Sequence, residues 1–396
     1  MVKVLRVITR LNIGGPAIHT LLLSSSLNNG GGYKDILVCG RVSESEGDMS
    51  YLAREKNVEP VVIDELGREI SFVKDTRAFF KLCGIMKRER PAIVHTHTAK
   101  AGTLGRLAAI LTGVPVRIHT FHGHVFDGYF SPHKAKAFVL IEKFLARFTS
   151  RVIMVSEGVR NEIVKELKVA SPSKSVVIPL GLELEQFLDS EKRKGALRLM
   201  LGIGGDVMLI GIVGRLVPIK NHKMFLDAAK KISDRKLSAK VKFLVIGDGE
   251  LKEDLAVYAK KLGIEKDVIF TGWVQDLPMV YADLDIVALT SLNEGTPVSL
   301  IEAMASARAV IATSVGGVGD LIADGSNGVL TTAQDTDGFS GKLLGLIEDR
   351  SGRLAMGGRA REFVRDRYSK QRLVGDIKKL YEECLYEKKQ AGGIKR

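Results

Sequence analysis

The feature that most restricts the fold of this chain is an alternation of short apolar runs with helix-periodic segments that passes through residues 1–178 and then begins again. In the first pass, Val4–Thr9, Ile36–Cys39, Val61–Ile63, Ile93–Thr96, Val116–Thr120 and Val152–Val155 are apolar runs of strand length. Strands buried on both faces read this way. Between them Ala17–Leu27, Phe72–Lys87, Ala99–Leu111, Lys134–Phe148 and Glu157–Leu167 carry apolar residues at helical spacing, which predicts a doubly wound parallel sheet. After Val176-Val177-Ile178-Pro179-Leu180-Gly181, a strand ending in a Pro and Gly turn, the pattern restarts. Met208–Val213, Val241–Ile246, Val268–Phe270, Ile286–Leu289 and Val310–Thr313 alternate with helices near 220–233, 250–262, 276–282 and 297–306. The expectation is an α/β protein of two Rossmann-like domains, 1–178 and 179–370, followed by a helical segment and basic tail over 371–396. Such sheets bind ligands outside the carboxyl ends of their strands, so two facing units would bind theirs in an interdomain cleft.

Composition narrows the class further. Cys39, Cys83 and Cys384 are few, odd in number and unclustered, which argues against a disulfide framework or a cysteine metal site and suits a reducing cytoplasm. The opening Met1–Thr9 alternates basic and apolar residues; it reads as a first strand rather than an export signal, which needs an unbroken apolar segment. No apolar run approaches the roughly 20 residues that span a bilayer. The net charge of +13 is uneven: residues 1–180 hold 26 Lys and Arg against 16 Asp and Glu, the remainder 33 against 30. That asymmetry suits either an anionic surface as partner, lipid headgroups or nucleic acid, or solubility alone. Nucleic acid is not expected, because no zinc, helix-turn-helix or aromatic-interleaved basic pattern is present. An anionic membrane surface is the better match.

The motifs follow predicted strands. Glu294-Gly295-Thr296-Pro297-Val298-Ser299 leads to Glu302; Thr296 is a good N-cap and Pro297 suits the first helical position, leaving the Val298 and Ser299 amides open to an anion. Glu302 lies one to two turns further, roughly 8 Å along the axis, where it can accept ribose hydroxyls while Glu294 meets groups beyond the phosphates. Gly214-Arg215-Leu216 with Lys220 follows the second domain's first strand; two cations five apart are by themselves ordinary solvated side chains, but taken with the glutamate pair they are read as holding a diphosphate. Gly272-Trp273-Val274 ends another strand; either its backbone reads a nucleobase edge or Trp273 is a partly buried packing residue. Gly14-Gly15-Pro16, after the first strand, is a glycine turn into a helix; it matches neither a dinucleotide fingerprint nor a P-loop. His119, His122 and His124 end the fifth strand, after His95 and His97 on the fourth. No acid or cysteine completes a ligand set there and the spacing fits no zinc motif, so His122, beside Gly123, is read as a polar contact to a sugar hydroxyl or the reacting centre.

Taken in order, Gly14-Gly15, Phe121-His122-Gly123, Gly214-Arg215-Leu216 with Lys220, Gly247-Asp248-Gly249, Gly272-Trp273-Val274 and Glu294-Gly295-x-Pro297 with Glu302 resemble the retaining glycosyltransferases of family four, over nearly the whole chain. The stretch His95-Thr96-His97-Thr98-Ala99-Lys100-Ala101-Gly102 with Arg106 is similar to the branch that builds capsular, exopolysaccharide and lipid-linked oligosaccharide chains. The resemblance implies a GT-B fold and transfer of a sugar, with retention, from a nucleotide-diphosphate sugar, UDP-linked, to a saccharide or lipid-linked acceptor. It implies no cofactor and no divalent metal. Arg215 and Lys220 would hold the diphosphate, Glu302 the ribose, Glu294 the donor sugar near its anomeric carbon, and the segment Gly295–Ser299 sugar and phosphate. Gly214, Gly272 and Val274 would line the donor site, with His122 and Gly15 completing it from the first domain. The helix after Tyr368 would return to that domain. The expected location is the cytoplasm, either free or peripheral at the inner face of the plasma membrane. A nucleotide-sugar epimerase of like architecture, or a non-catalytic nucleotide-sugar-binding or membrane-surface protein, are the alternatives.

Overall fold

A computed structural model describes residues 1–42, 47–67, 69–123, 132–235 and 239–392. His124 and the tail residues Lys395 and Arg396 lie outside the described residues. The chain divides into two compact units, Met1–Leu182 joined by the segment from Lys370 on, and Glu183–Ser369.

The first unit is built on seven strands: β1 (Val2–Arg10), β2 (Tyr33–Gly40), β3 (Val61–Val62), β4 (Ile93–His97), β5 (Val116–Phe121), β6 (Arg151–Met154) and β7 (Ser175–Val177). Their order is β3-β2-β1-β4-β5-β6-β7, and all pairs are parallel. Connection direction reverses between β1 and β4, which makes that the switch point. Buried aliphatics on one face, Val4, Ile93, Val116, Ile118 and Ile153, pack with Leu22, Leu23 and Leu27 of the Gly15–Asn29 helix. The C-terminal helix, Lys370–Gln390, adds Leu373, Ile377, Leu380, Tyr381 and Cys384 to the same cluster. These recur at three- and four-residue spacing, so one stripe of an otherwise polar helix is apolar. Each leucine-sized side chain so buried contributes about 1.5–3 kcal/mol, which is what holds this late segment on the first sheet.

The second unit has six parallel strands: β8 (Val207–Val213), β9 (Lys240–Ile246), β10 (Val268–Gly272), β11 (Ile286–Leu289), β12 (Ala309–Thr313) and β13 (Val329–Thr331). The order is β10-β9-β8-β11-β12-β13, with the switch point between β8 and β11. The helix His222–Ser233 turns Met224, Phe225, Ala228, Ala229 and Ile232 into this core against Ile210, Ile212, Phe243 and Val245.

Three local readings are corrected. β13 is not in the expected set, because three residues, Val329-Leu330-Thr331, carry too little pattern to separate from a loop. The expected helix Glu157–Leu167 is α-helical only over Glu157–Arg160; Asn161–Glu166 is a π-helix. Apolar spacing does not report that change of hydrogen-bond register. The third concerns the start of the helix carrying Glu302, described below. Among the described residues no helix is long and apolar enough to cross a membrane.

Candidate active site

In the second unit the loops after β8 and β11 flank the switch point and are stitched together by the backbone. Leu292 N–H donates to Ile219 O at 2.8 Å, and Thr290 Oγ1 donates to the carbonyls of Lys220 and Asn221 at 3.2 and 3.0 Å. Thr313 Oγ1, at the end of β12, donates to Ser291 O at 2.6 Å. Two residues 74 apart in sequence therefore meet: Lys220 Nζ lies 2.5 Å from Glu294 Oε1, which also accepts from Ser291 Oγ at 2.6 Å. The pair is partly buried, at 21% and 11% side-chain exposure, so the ammonium is neither freely solvated nor locked away. Arg215 is half-buried in the same β8 loop and forms no ion pair among the described residues.

Behind Glu294 stands a support that its own motif does not reveal. Gly317 N–H donates to Glu294 O at 3.0 Å, and Gly316 takes φ +52° with Glu294 O only 1.9 Å from where a Cβ would stand. Only glycine fits both the angle and the approach. The ends of β8, β9 and β10 are tied in the same way: Gly214 N–H donates to Ile246 O at 2.9 Å and Gly247 N–H to Gly272 O at 3.0 Å. Gly247 has φ +141° and Gly214 O 1.9 Å from its would-be Cβ. Gly214 and Gly272 thus sit at the ends of β8 and β10, on either side of β9, with Val274 two residues further and Trp273 exposed.

The helix after Glu294 runs over Val298–Ala305, with Pro297 in the cap position at φ −74° and ψ 109°. Thr296 is therefore one residue too early to be the N-cap and Pro297 is not the first helical residue; the extended ψ of Pro297 delays the start. Leu300 and Ile301 N–H both bond to Pro297 O, at 3.2 and 3.3 Å, so Val298 and Ser299 still precede the first helical bonds. Glu302, two turns from Glu294, is 7% exposed and accepts from Tyr281 Oη at 2.9 Å. Burial pushes its carboxyl up to about 8, against the lowering effect of the Tyr281 hydrogen bond.

In the first unit Gly15 begins the helix after β1 and Gly14 caps it. His122 follows β5 and belongs to a cluster larger than its sequence neighbours. His97 Nδ1 lies 2.9 Å from His122 Nε2, and the ring of His19, from the Gly15–Asn29 helix, stands edge-on to both, at 5.6 and 4.9 Å between centroids. Ring nitrogens of His19, His97 and His122 lie within 4.8 Å of one another. Beneath them Arg6, fully buried on β1, reaches Asp35, His95, His97 and Tyr381. Burial, with neighbouring positive charge, holds His19, His95 and His97 well below the usual histidine range and His122 at about 3. The second unit thus unites Lys220, Glu294 and the Gly295–Ser299 segment, whereas Gly15 and His122 are placed within the first. Sequence reasoning missed Ser291, Tyr281, Gly316, Arg6, His19 and Tyr381. A double glycine after an apolar run marks Gly316, and a lone arginine inside an apolar strand marks Arg6; the others carry no local signal.

Residues 13–186 match the family model described as Glycosyltransferase Family 4, and residues 208–349 that described as Glycosyl transferases group 1. The chain is 32% identical over 353 residues to the UDP-Gal:alpha-D-GlcNAc-diphosphoundecaprenol alpha-1,3-galactosyltransferase of Escherichia coli, covering 89% of each. It is 28% identical over 330 residues to the capsular polysaccharide biosynthesis glycosyltransferase CapM of Staphylococcus aureus, covering 81% of this chain and 84% of that protein. Among solved structures, Anabaena HepE in complex with UDP-glucose superposes with a TM-score of 0.81 at 20% identity, over 97% of this chain and 100% of that one. At that identity the likeness shows the fold.

Proposed function

Because the chain belongs to family four of the glycosyltransferases, we propose that it moves a hexose, with retention and without a divalent metal, from a UDP-sugar to a hydroxyl of a lipid-linked saccharide in cell-surface polysaccharide synthesis. The observation that carries this reading is the meeting of Lys220, Glu294 and the helix start at Val298 and Ser299 on one switch point. Arg215, Lys220 and those amides bind the diphosphate; Glu302 accepts the ribose hydroxyls; the backbone at Gly272 and Val274 meets the base; Glu294 contacts the sugar. Gly15 and His122 are contacts for the transferred sugar and its acceptor. The UDP specificity is supported by the UDP-galactose and UDP-glucose in the names of the relatives.

In the reaction the bond from C1 to the phosphate oxygen breaks first, its electron pair leaving with UDP. The acceptor oxygen bonds to C1 from the same face, and its proton passes to the phosphate oxygen just released. Two cations and two amides stabilise the charge that develops on the leaving group, and removing one such donor costs about 10²–10³ in rate. Lys220 is ion-paired with Glu294, so a bound diphosphate would compete with that carboxylate for the ammonium.

A membrane-surface acceptor is supported by the helix Pro132–Phe148. Leu140, Phe144 and Phe148 are exposed at four-residue spacing, with Lys136 and Arg147 exposed along the same stripe. Apolar side chains bracketed by cations complement an anionic bilayer.

The test is UDP release from UDP-sugars with and without GlcNAc-diphosphopolyprenol, in EDTA, with the anomeric configuration of the product read by NMR. Release that needs the acceptor, survives EDTA and gives an α-linked product is expected. Release independent of acceptor, or an inverted product, refutes the proposal.

A further inference from the structure

The buried cluster around Arg6 fixes more than the position of His122; it fixes where the protons are. A guanidinium donates hydrogen bonds and accepts none. Arg6 gives Nε and Nη2 to the carboxylate of Asp35, at 3.1 and 2.7 Å on Oδ2, and Nη1 lies 3.1 Å from His95 Nδ1 and 3.2 Å from His97 Nε2. Both ring nitrogens must therefore accept. Tyr381 Oη, 2.7 Å from His95 Nδ1, donates to the same acceptor. A neutral imidazole carries its one proton on the other nitrogen. For His95 this is Nε2, which then donates to Thr120 Oγ1 at 2.7 Å. For His97 it is Nδ1, which then donates to His122 Nε2 at 2.9 Å.

The chain of inference ends at His122. With Nε2 occupied as an acceptor, its proton is on Nδ1, an atom that is buried and without a hydrogen-bond partner among the described residues. We propose that Arg6 and His97 are positioning residues that set the tautomer of His122, so that it meets its ligand as a neutral Nδ1–H donor and not as a base. Neither nitrogen is then available to take a proton from an acceptor hydroxyl. The group His122 recognises is a neutral oxygen with a free lone pair, a hydroxyl or ring oxygen of a sugar. Its low proton affinity keeps the ring in this form across the ordinary pH range. The identity of the ligand rests on the glycosyltransferase reading above, whereas the tautomer does not.

The competing use of the cluster is a metal held by His19, His97 and His122, whose nitrogens lie close enough. Such an ion would have to displace the proton from His97 Nδ1 while Arg6 still occupies Nε2, making an imidazolate beside a buried cation. The arrangement favours the proton.

The experiment is long-range ¹H–¹⁵N NMR of the full chain labelled at histidine, at pH 7.5, with His122 assigned through His122→Gln. His122 and His97 are expected as Nδ1–H tautomers and His95 as Nε2–H. In His97→Leu the His122 signal should move to the Nε2–H form, with kcat down about tenfold, the worth of one neutral hydrogen bond, and the donor KM within about threefold. His97→Gln keeps one acceptor and one donor, and should retain the wild-type His122 tautomer and most of kcat. An Nε2–H His122 in the wild-type chain, an unchanged His122 in His97→Leu, or stoichiometric Zn²⁺ uptake lost in His19→Ala each overturns the proposal. An unchanged kcat in His97→Leu with the tautomer shifted overturns the positioning role. Absence of transfer by the wild-type chain with every donor would sink the functional reading, while the wild-type tautomers remain readable.

Discussion

Glu302→Gln separates what this carboxylate costs the fold from what it does for a ligand. An acid whose folded-state value is raised from its ordinary 4.5 to about 8 loses nothing below 4.5, where both states are neutral. As pH rises the unfolded chain ionises first, so stability falls between about 4.5 and 8 and then levels off. At 1.36 kcal/mol per tenfold, the cost is about 1.4 kcal/mol at pH 5.5 and about 4 kcal/mol at pH 8. Gln keeps the shape and can still accept from Tyr281, but buries an amide N–H₂ that costs about 1–3 kcal/mol at every pH. The difference between variant and wild type therefore swings in favour of the variant by about 3 kcal/mol from pH 5.5 to pH 8. Urea unfolding of both chains at the two pH values, followed by a signal from the second unit, measures the swing directly, since all other titrations cancel. Donor affinity should fall in the variant at pH 8, where part of the wild-type carboxyl is ionised and the amide replaces an anionic acceptor for the ribose hydroxyls, and change less at pH 5.5, where the carboxyl is neutral. A variant that is destabilised by the same amount at both pH values refutes the raised carboxyl and the argument built on its burial.

Lys220→Ala and Arg215→Ala should each lower kcat about 10²–10³-fold without unfolding the chain; unchanged turnover with donor binding intact in calorimetry would remove the leaving-group role. Gly247→Ala drives a Cβ to 1.9 Å from Gly214 O and should cost about 2–4 kcal/mol, read as a lowered melting temperature. Co-sedimentation with vesicles containing anionic phospholipid should weaken about fivefold for each of Lys136→Gln and Arg147→Gln, and further in Phe144→Gln. Binding that ignores both the charge substitutions and the anionic lipid fraction would sink the membrane-facing assignment of that helix.

Most of the two sheets was legible because a strand buried on both faces has to be largely apolar, and twelve of the thirteen strands among the described residues contain a short apolar run. The exception, β13, is too short for any period to show. Site residues were legible where the chemistry lies within one turn or loop, as from Glu294 to Ser299, because caps, prolines and glycines are local signals. Pairings across the chain were not. Nothing near Lys220 indicates that Glu294 will be its partner, and the Arg6 cluster joins β1 to a residue 375 positions later. His95 and His97 were visible as residues, but their meaning depends on a guanidinium on the neighbouring strand. The shift of the helix start from Thr296 and Pro297 to Val298 is of another kind: cap preferences tolerate a slip of one residue, and tertiary bonds to the Glu294 backbone decide it.

The helix that supplies Tyr381 is made last among the described elements, yet its hydroxyl completes the polar cluster of the first strand. On the ribosome, β1 to β7 emerge long before it, separated from it by the whole of the second unit. Until translation passes Lys370, the nascent first unit carries an uncovered apolar surface made of Leu22 and Leu23 of the Gly15–Asn29 helix with Ile93 and Ile118 of the sheet, and a buried arginine short of one acceptor. Vectorial synthesis therefore finishes the second unit first, and the first unit closes only after release of the segment that follows it. Chaperone occupancy should be greatest on ribosomes paused before that helix.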